Sequence, residues 1–172
     1  MGGSLLAASR PLEPVDERQP VAYGRDVDAA DIDLRNATYR RFVELGRAPK
    51  ASEVAATIGV SEHDVRSGWA RLHDAHALVL DGAGEIAMAN PFAAKPTPFR
   101  VETDGRSWYA NCAWDAFGIG AALATDSEIH TACADCQEPL DLLVRDGRVD
   151  DTDLIFHVLV PAASWWNDIG YT

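Results

Sequence analysis

At 172 residues the chain suits one compact domain or two very small ones, and 47% hydrophobic residues give it the material for a core. A formal charge of −12 excludes a protein whose main work is gripping a phosphate backbone or an anionic membrane surface, since both need a basic face. No apolar run approaches the roughly 20 residues of a membrane span. The start, MGGSLLAASRPLEP, lacks the basic region and apolar stretch of a secretion signal. The expected location is therefore cytoplasmic, where Cys112, Cys133 and Cys136 stay reduced.

Residues 1–29 are rich in Pro, Gly, Arg and Asp without periodicity and are expected to form a flexible arm. From Asp31 the pattern becomes helical. Leu34, Ala37, Tyr39, Phe42, Val43 and Leu45 make an apolar face that Gly46 can stop. Ser52 precedes Val54, Ala55 and Ile58, with Gly59 as a second stop, and Ser61 can cap a third helix through Val65, Trp69 and Leu72. Residues 77–80 and 85–88 flank Asp81-Gly82 and predict a hairpin. Three helices and a hairpin over 30–92 form a winged-helix-like pattern, and APKASEVAATIGVSEHDVRSGWARL resembles a helix-turn-helix.

Residues 93–172 have a different rhythm. FRVET and RSWYA read as strands around an Asp104-Gly105 turn. Asn111 can cap a helix from Cys112 to about Ala124. Residues 128–133 and 140–145 read as strands, Asp146-Gly147 as a turn, LIFHVLV as a further, buried strand, and 162–169 as a short helix. The predicted class is α+β: a winged-helix-like head on an antiparallel-sheet core with short helices.

The chemistry concentrates at Cys112 and Asp115, three residues apart and thus on one face of a first helical turn. Free N–H groups at a helix start favour a thiolate, which predicts a lowered pKa for Cys112. Apolar neighbours such as Trp108, Trp114 and Phe117, with a thiolate beside it, push the Asp115 carboxyl upward. A soft nucleophile next to a proton-holding acid is a usable pair. The plainer alternative is a small buried hydrophobe beside a helix-dipole partner.

Other features admit two readings each. Cys133-x-x-Cys136 is half of a zinc site or a redox pair, with His130 and Asp135 near in sequence but no second C-x-x-C; otherwise it is a tight turn. In the segment SEHDVRSGWARLHD, Glu62, Asp64 and Asp74 offset Arg66 and Arg71, which disfavours a reader of nucleic acid. Trp165 and Trp166 either pack the last helix on the sheet or cover a substrate, and His63, His73, His76 and His157 show no ligand spacing.

The stretch FRVETDGRSWYANCAWDAFGIGAAL resembles the core of the organomercurial (alkylmercury) lyases: a strand, a turn, a strand ending in an aromatic-Ala-x-Cys run, then Asp three residues on. HTACADCQEPLDL, the strand ending at Val160-Pro161 and the helix-turn-helix-like head are also similar, so the resemblance spans roughly 30–172. It implies protonolysis of a carbon–mercury bond, releasing a hydrocarbon and Hg(II). Cys112 would be nucleophile and mercury ligand, and Asp115 would handle the proton and contact the metal. The resemblance implies no organic cofactor, an organomercurial small molecule as substrate, and low-molecular-weight thiols that deliver it and remove Hg(II). The family places a second catalytic cysteine after the Pro-containing turn. That position falls at about Thr172 or just beyond: either the sequence is a piece of a longer chain, or the second thiol is lacking and another group serves or the chemistry differs. Cys133 matches a family cysteine read as structural, and Cys136 is additional. A family member that binds a soft metal without cleaving anything, or a winged-helix metal-responsive regulator, remain alternatives.

Overall fold

The computed structural model describes residues 27–150, 153–158 and 160–170. Residues 1–26, most of the expected arm, lie outside the described residues. Three helices come first: α1 (Ala29–Leu45), α2 (Ala51–Ile58) and α3 (Glu62–Asp74). Their ends follow local chemistry. The Asp28 carboxylate accepts from the Asp31 N–H and starts α1, and the Ser61 hydroxyl does the same for α3 through the Asp64 N–H. Gly46 and Gly59 end α1 and α2 at φ 68° and 74°, a left-handed conformation that glycine adopts without penalty.

The helices enclose Trp69, which is fully buried. Its indole N–H donates to the Thr38 hydroxyl at 2.9 Å, and that hydroxyl donates to the Leu34 carbonyl at 2.8 Å. Gly68 lets α1 and α3 touch, because a Cβ there would stand 2.2 Å from Leu34 Cδ2. Asp31 is 4% exposed and is held by two hydrogen bonds from Arg71, at 2.6 and 2.7 Å. Thr38→Val keeps the shape but strands the indole N–H. It should cost about 1–3 kcal/mol, read as a lower urea midpoint with an unchanged slope.

Among the described residues eight strands form one antiparallel sheet: β1 (Val79–Leu80), β2 (Ile86–Ala89), β3 (Phe92–Ala93), β4 (Arg100–Thr103), β5 (Arg106–Ala110), β6 (Ser127–Ala132), β7 (Pro139–Arg145) and β8 (Arg148–Val149). Their spatial order is β1-β2-β3-β5-β4-β6-β7-β8. The expected α+β combination of helices and antiparallel sheet is thus present. Asp104-Gly105 and Asp146-Gly147 make two of the hairpin turns, with positive φ at both residues of each pair. Phe92 joins the helices to the sheet, stacking on Phe42 at 5.2 Å and meeting the Trp108 ring edge-on at 6.1 Å. Helix α4 (Ala113–Leu123) covers the face of β4, β5 and β6 that carries Val101, Trp108 and Ile129. No helix among the described residues is long and apolar enough to cross a membrane.

The expected buried strand LIFHVLV is overturned. Residues 153–158 belong to no strand, and Ile155 is 88% exposed. A β-rich composition becomes a strand only where it pairs with a sheet edge, and this segment pairs with neither edge strand, β1 or β8. The segment runs instead to the start of α4, where Phe156 lies 6.2 Å from the Trp114 ring. The expected last helix is a 3₁₀ turn, Ala162–Asn167.

Candidate active site

The second strand of the β4–β5 hairpin delivers the chain straight into α4. Cys112, expected inside the helix, is its N-cap residue in extended conformation, and its carbonyl accepts the first helical bond from the Ala116 N–H at 3.0 Å. Asn111, expected to be the cap, does something else. Its amide donates to Asp115 Oδ2 at 3.1 Å and to Asn90 Oδ1 at 3.0 Å. Asn111 thereby ties the Asp115 carboxylate to the turn between β2 and β3.

Cys112 and Asp115 are both half-buried, and each shifts the pKa of the other. Burial raises the Asp115 pKa, as expected, while hydrogen bonds from Asn111 and the Cys112 thiol pull it down less strongly. The Cys112 pKa is also raised, which overturns the expected lowering. Desolvation is the largest cause. The N–H groups of Asp115 and Trp114 oppose it, and the Asp115 charge and hydrogen bond add to it. A helix start alone would favour the thiolate, but here the partner is an anion in a site with little water. Both shifts favour keeping a proton at the pair.

The two groups open into a cavity of about 220 Å³. Its walls are mainly apolar, with Met88, Phe99, Trp114 and Phe156 among them. Of the three cysteines only Cys112 lines it, among the described residues, and all three are free thiols. Trp165, read from the sequence as packing the last helix or covering a substrate, also lines it, as does His157, which spacing along the chain gave no means of finding. Trp165 is fixed by a 2.7 Å hydrogen bond to the Val160 carbonyl. Trp166 stacks on His76 at 4.0 Å, so it packs against the end of the helical region and not on the sheet. Trp108, expected beside Asp115, is a core residue.

Two groups stand apart from the cavity. Cys133 and Cys136 occupy the β6–β7 turn, where backbone N–H groups of Cys136 and Asp135 lower the Cys133 pKa. Glu128, His130 and Asp141 bring ligand atoms within 4.8 Å of one another on the opposite face of β6 from Ile129. There His130 Nδ1 and Asp141 Oδ1 are 2.6 Å apart. This cluster depends on pairing between strands and leaves no trace in local spacing.

The family model described as MerB: Alkylmercury lyase matches residues 92–172. Among solved structures the chain is similar to the mercury-bound form of MerB2, with a TM-score of 0.59 and 25% identity over 74% of this chain and 62% of that one. The chain thus spans about 62% of the length of that relative. No curated protein matches. Residues 92–172 are thus similar to the alkylmercury lyase family, and the chain shares its fold with the MerB2 structure.

Proposed function

We propose that the chain cleaves the carbon–mercury bond of organomercurials by protonolysis, giving a hydrocarbon and Hg(II). The observation that carries this is the Cys112 thiol and the Asp115 carboxyl lining one mainly apolar cavity together. The substrate R–Hg–SR′ arrives as a thiol adduct, and its organic group enters the cavity. Mercury is soft and prefers sulfur to oxygen. As the Cys112 sulfur bonds to mercury, its proton passes to Asp115 and R′S⁻ leaves or stays bound. Thiolate donation loads charge onto the carbon. Asp115 then delivers the same proton to that carbon, the carbon–mercury bond breaks, and R–H departs. Mercury stays on Cys112, and a low-molecular-weight thiolate completes its two-coordinate shell and helps remove it. The mechanism calls for no organic cofactor.

The helical region 30–92 supports a winged-helix-like head that backs the site and does not read nucleic acid. On α3, Arg66 is held by Glu62 and Glu85, and Arg71 by Asp31, so its basic groups are occupied within the chain. Free thiols throughout favour a cytoplasmic location. One observation favours a rival, a soft-metal binder without turnover: Cys112 is the single thiol lining the cavity among the described residues. Turnover of phenylmercuric acetate in excess thiol separates the two. Benzene release is expected. Stoichiometric mercury binding with no benzene would establish the rival.

A further inference from the structure

The cleavage mechanism uses Cys112 and leaves Cys133 and Cys136 without a task. Both lie on the turn from β6 to β7, and the turn is tightly built. The Cys133 N–H donates to the Glu138 carbonyl and the Gln137 N–H to the Cys133 carbonyl, each at 2.9 Å. Gln137 takes φ 60°, and its side-chain amide closes the loop on the Cys133 and Ala134 carbonyls, both at 3.1 Å. Within this loop the backbone N–H groups of Cys136 and Asp135, and then the Cys136 thiol, lower the Cys133 pKa. Two free thiols, three residues apart, thus share one tight and accessible turn.

The register locates that turn. Arg100 of β4 pairs with Tyr109 of β5 on one side and with His130 of β6 on the other. Both neighbours run antiparallel to β4, so they leave the sheet at the same end, β5 towards Cys112 and β6 towards Cys133. Only β4 lies between them, a lateral step of about 10 Å. Cys133 also falls on the strand face of Ile129, the face covered by α4. Glu128, His130 and Asp141 use the other face, so they do not complete a four-ligand site with the two thiols.

We propose that the Cys133–Cys136 turn is a second mercury site, a two-coordinate dithiolate that receives Hg(II) from Cys112. Two thiolates without further ligands suit a soft ion that accepts linear coordination. Transfer is ligand exchange without redox change. From Cys112–S–Hg–SR′, two S–Hg bonds break and two form on Cys133 and Cys136. The two protons of the turn's thiols pass to Cys112 and R′S⁻. The source of the ion rests on the lyase reading, but the site itself can be tested with inorganic Hg(II).

The full chain carrying Cys112→Ser is loaded with one equivalent of HgCl2 and passed through gel filtration in about 0.1 mM glutathione. That lies roughly tenfold below the millimolar effective concentration of a tethered second thiol. The variant should keep its mercury, and adding Cys136→Ser should lower retention about tenfold or more. Equal loss from both variants, or retention when Cys133→Ser is also added, would overturn the site. For the hand-off, the wild-type chain is loaded with one equivalent, alkylated and mapped by mass. Protected Cys133 and Cys136 with alkylated Cys112 are expected, and the reverse pattern would overturn the transfer. Neither arm needs a carbon–mercury bond to break, so failure of the lyase reading shows separately, as absent benzene.

Discussion

Cys112→Ser should reduce benzene release from phenylmercuric acetate by about a thousandfold or more, the equivalent of roughly 4 kcal/mol in the barrier. Serine is nearly the same size, so the N-cap position and the cavity walls survive, and the unfolding midpoint should stay close to that of the wild type. What changes is the ligand. A hydroxyl oxygen is hard, holds its proton at any working pH, and donates little charge to mercury. The carbon then gains no negative charge for the proton to find. Cys133→Ser is the control, because Cys133 does not line the cavity. Its first turnover should match the wild type when external thiol is in excess. Equal losses from both variants would mean that mercury is not bound through the cavity thiol, and the proposed mechanism would fall.

The parts of the fold that the sequence makes legible are those settled within a few residues. Gly46 and Gly59 end helices because their left-handed φ is cheap only for glycine, and Ser61 starts one because its hydroxyl accepts from an N–H three residues on. The Asp-Gly pairs at 104–105 and 146–147 turn hairpins for the same local reason. Cys112 and Asp115 are legible as a pair because three residues span one side of a helical turn. What is lost in sequence is whatever depends on a distant partner. Asn111 looks like a cap, yet its amide is drawn to Asn90, 21 positions away, and to Asp115. The segment 154–160 has the composition of a strand, but an edge to pair with is a property of the whole sheet. The sign of the Cys112 shift is hidden in sequence for a related reason. The N–H groups at the helix start are local, whereas the desolvation that outweighs them comes from packing around the cavity.

Asp115 joins these two scales, since a local spacing sets it beside Cys112 and a distant contact through Asn111 sets its orientation. Asp115→Asn preserves size and keeps a polar group facing Asn111, but an amide neither takes the thiol proton nor returns it to carbon. Mercury binding should persist while kcat for benzene release falls by about 10²–10⁴-fold, the range for loss of a positioned general acid. The pH dependence gives a second reading. The Asp115 charge is one of the causes that raise the Cys112 pKa, so its removal must lower that pKa, although desolvation remains. The variant thiol should therefore ionise at lower pH than the wild type, measured as the rate of iodoacetamide alkylation against pH in the Cys133→Ser, Cys136→Ser background. In the wild type, benzene release should decline on the alkaline side only above the ordinary thiol value of 9.0, because the shared proton is lost when Cys112 titrates. An unchanged kcat would remove Asp115 from the proton path. A thiol pKa that moved upward would show that Asp115 is not the anion facing Cys112. If kcat fell and the thiol pKa moved down together, one carboxylate would account both for holding the thiol protonated and for carrying that proton to carbon.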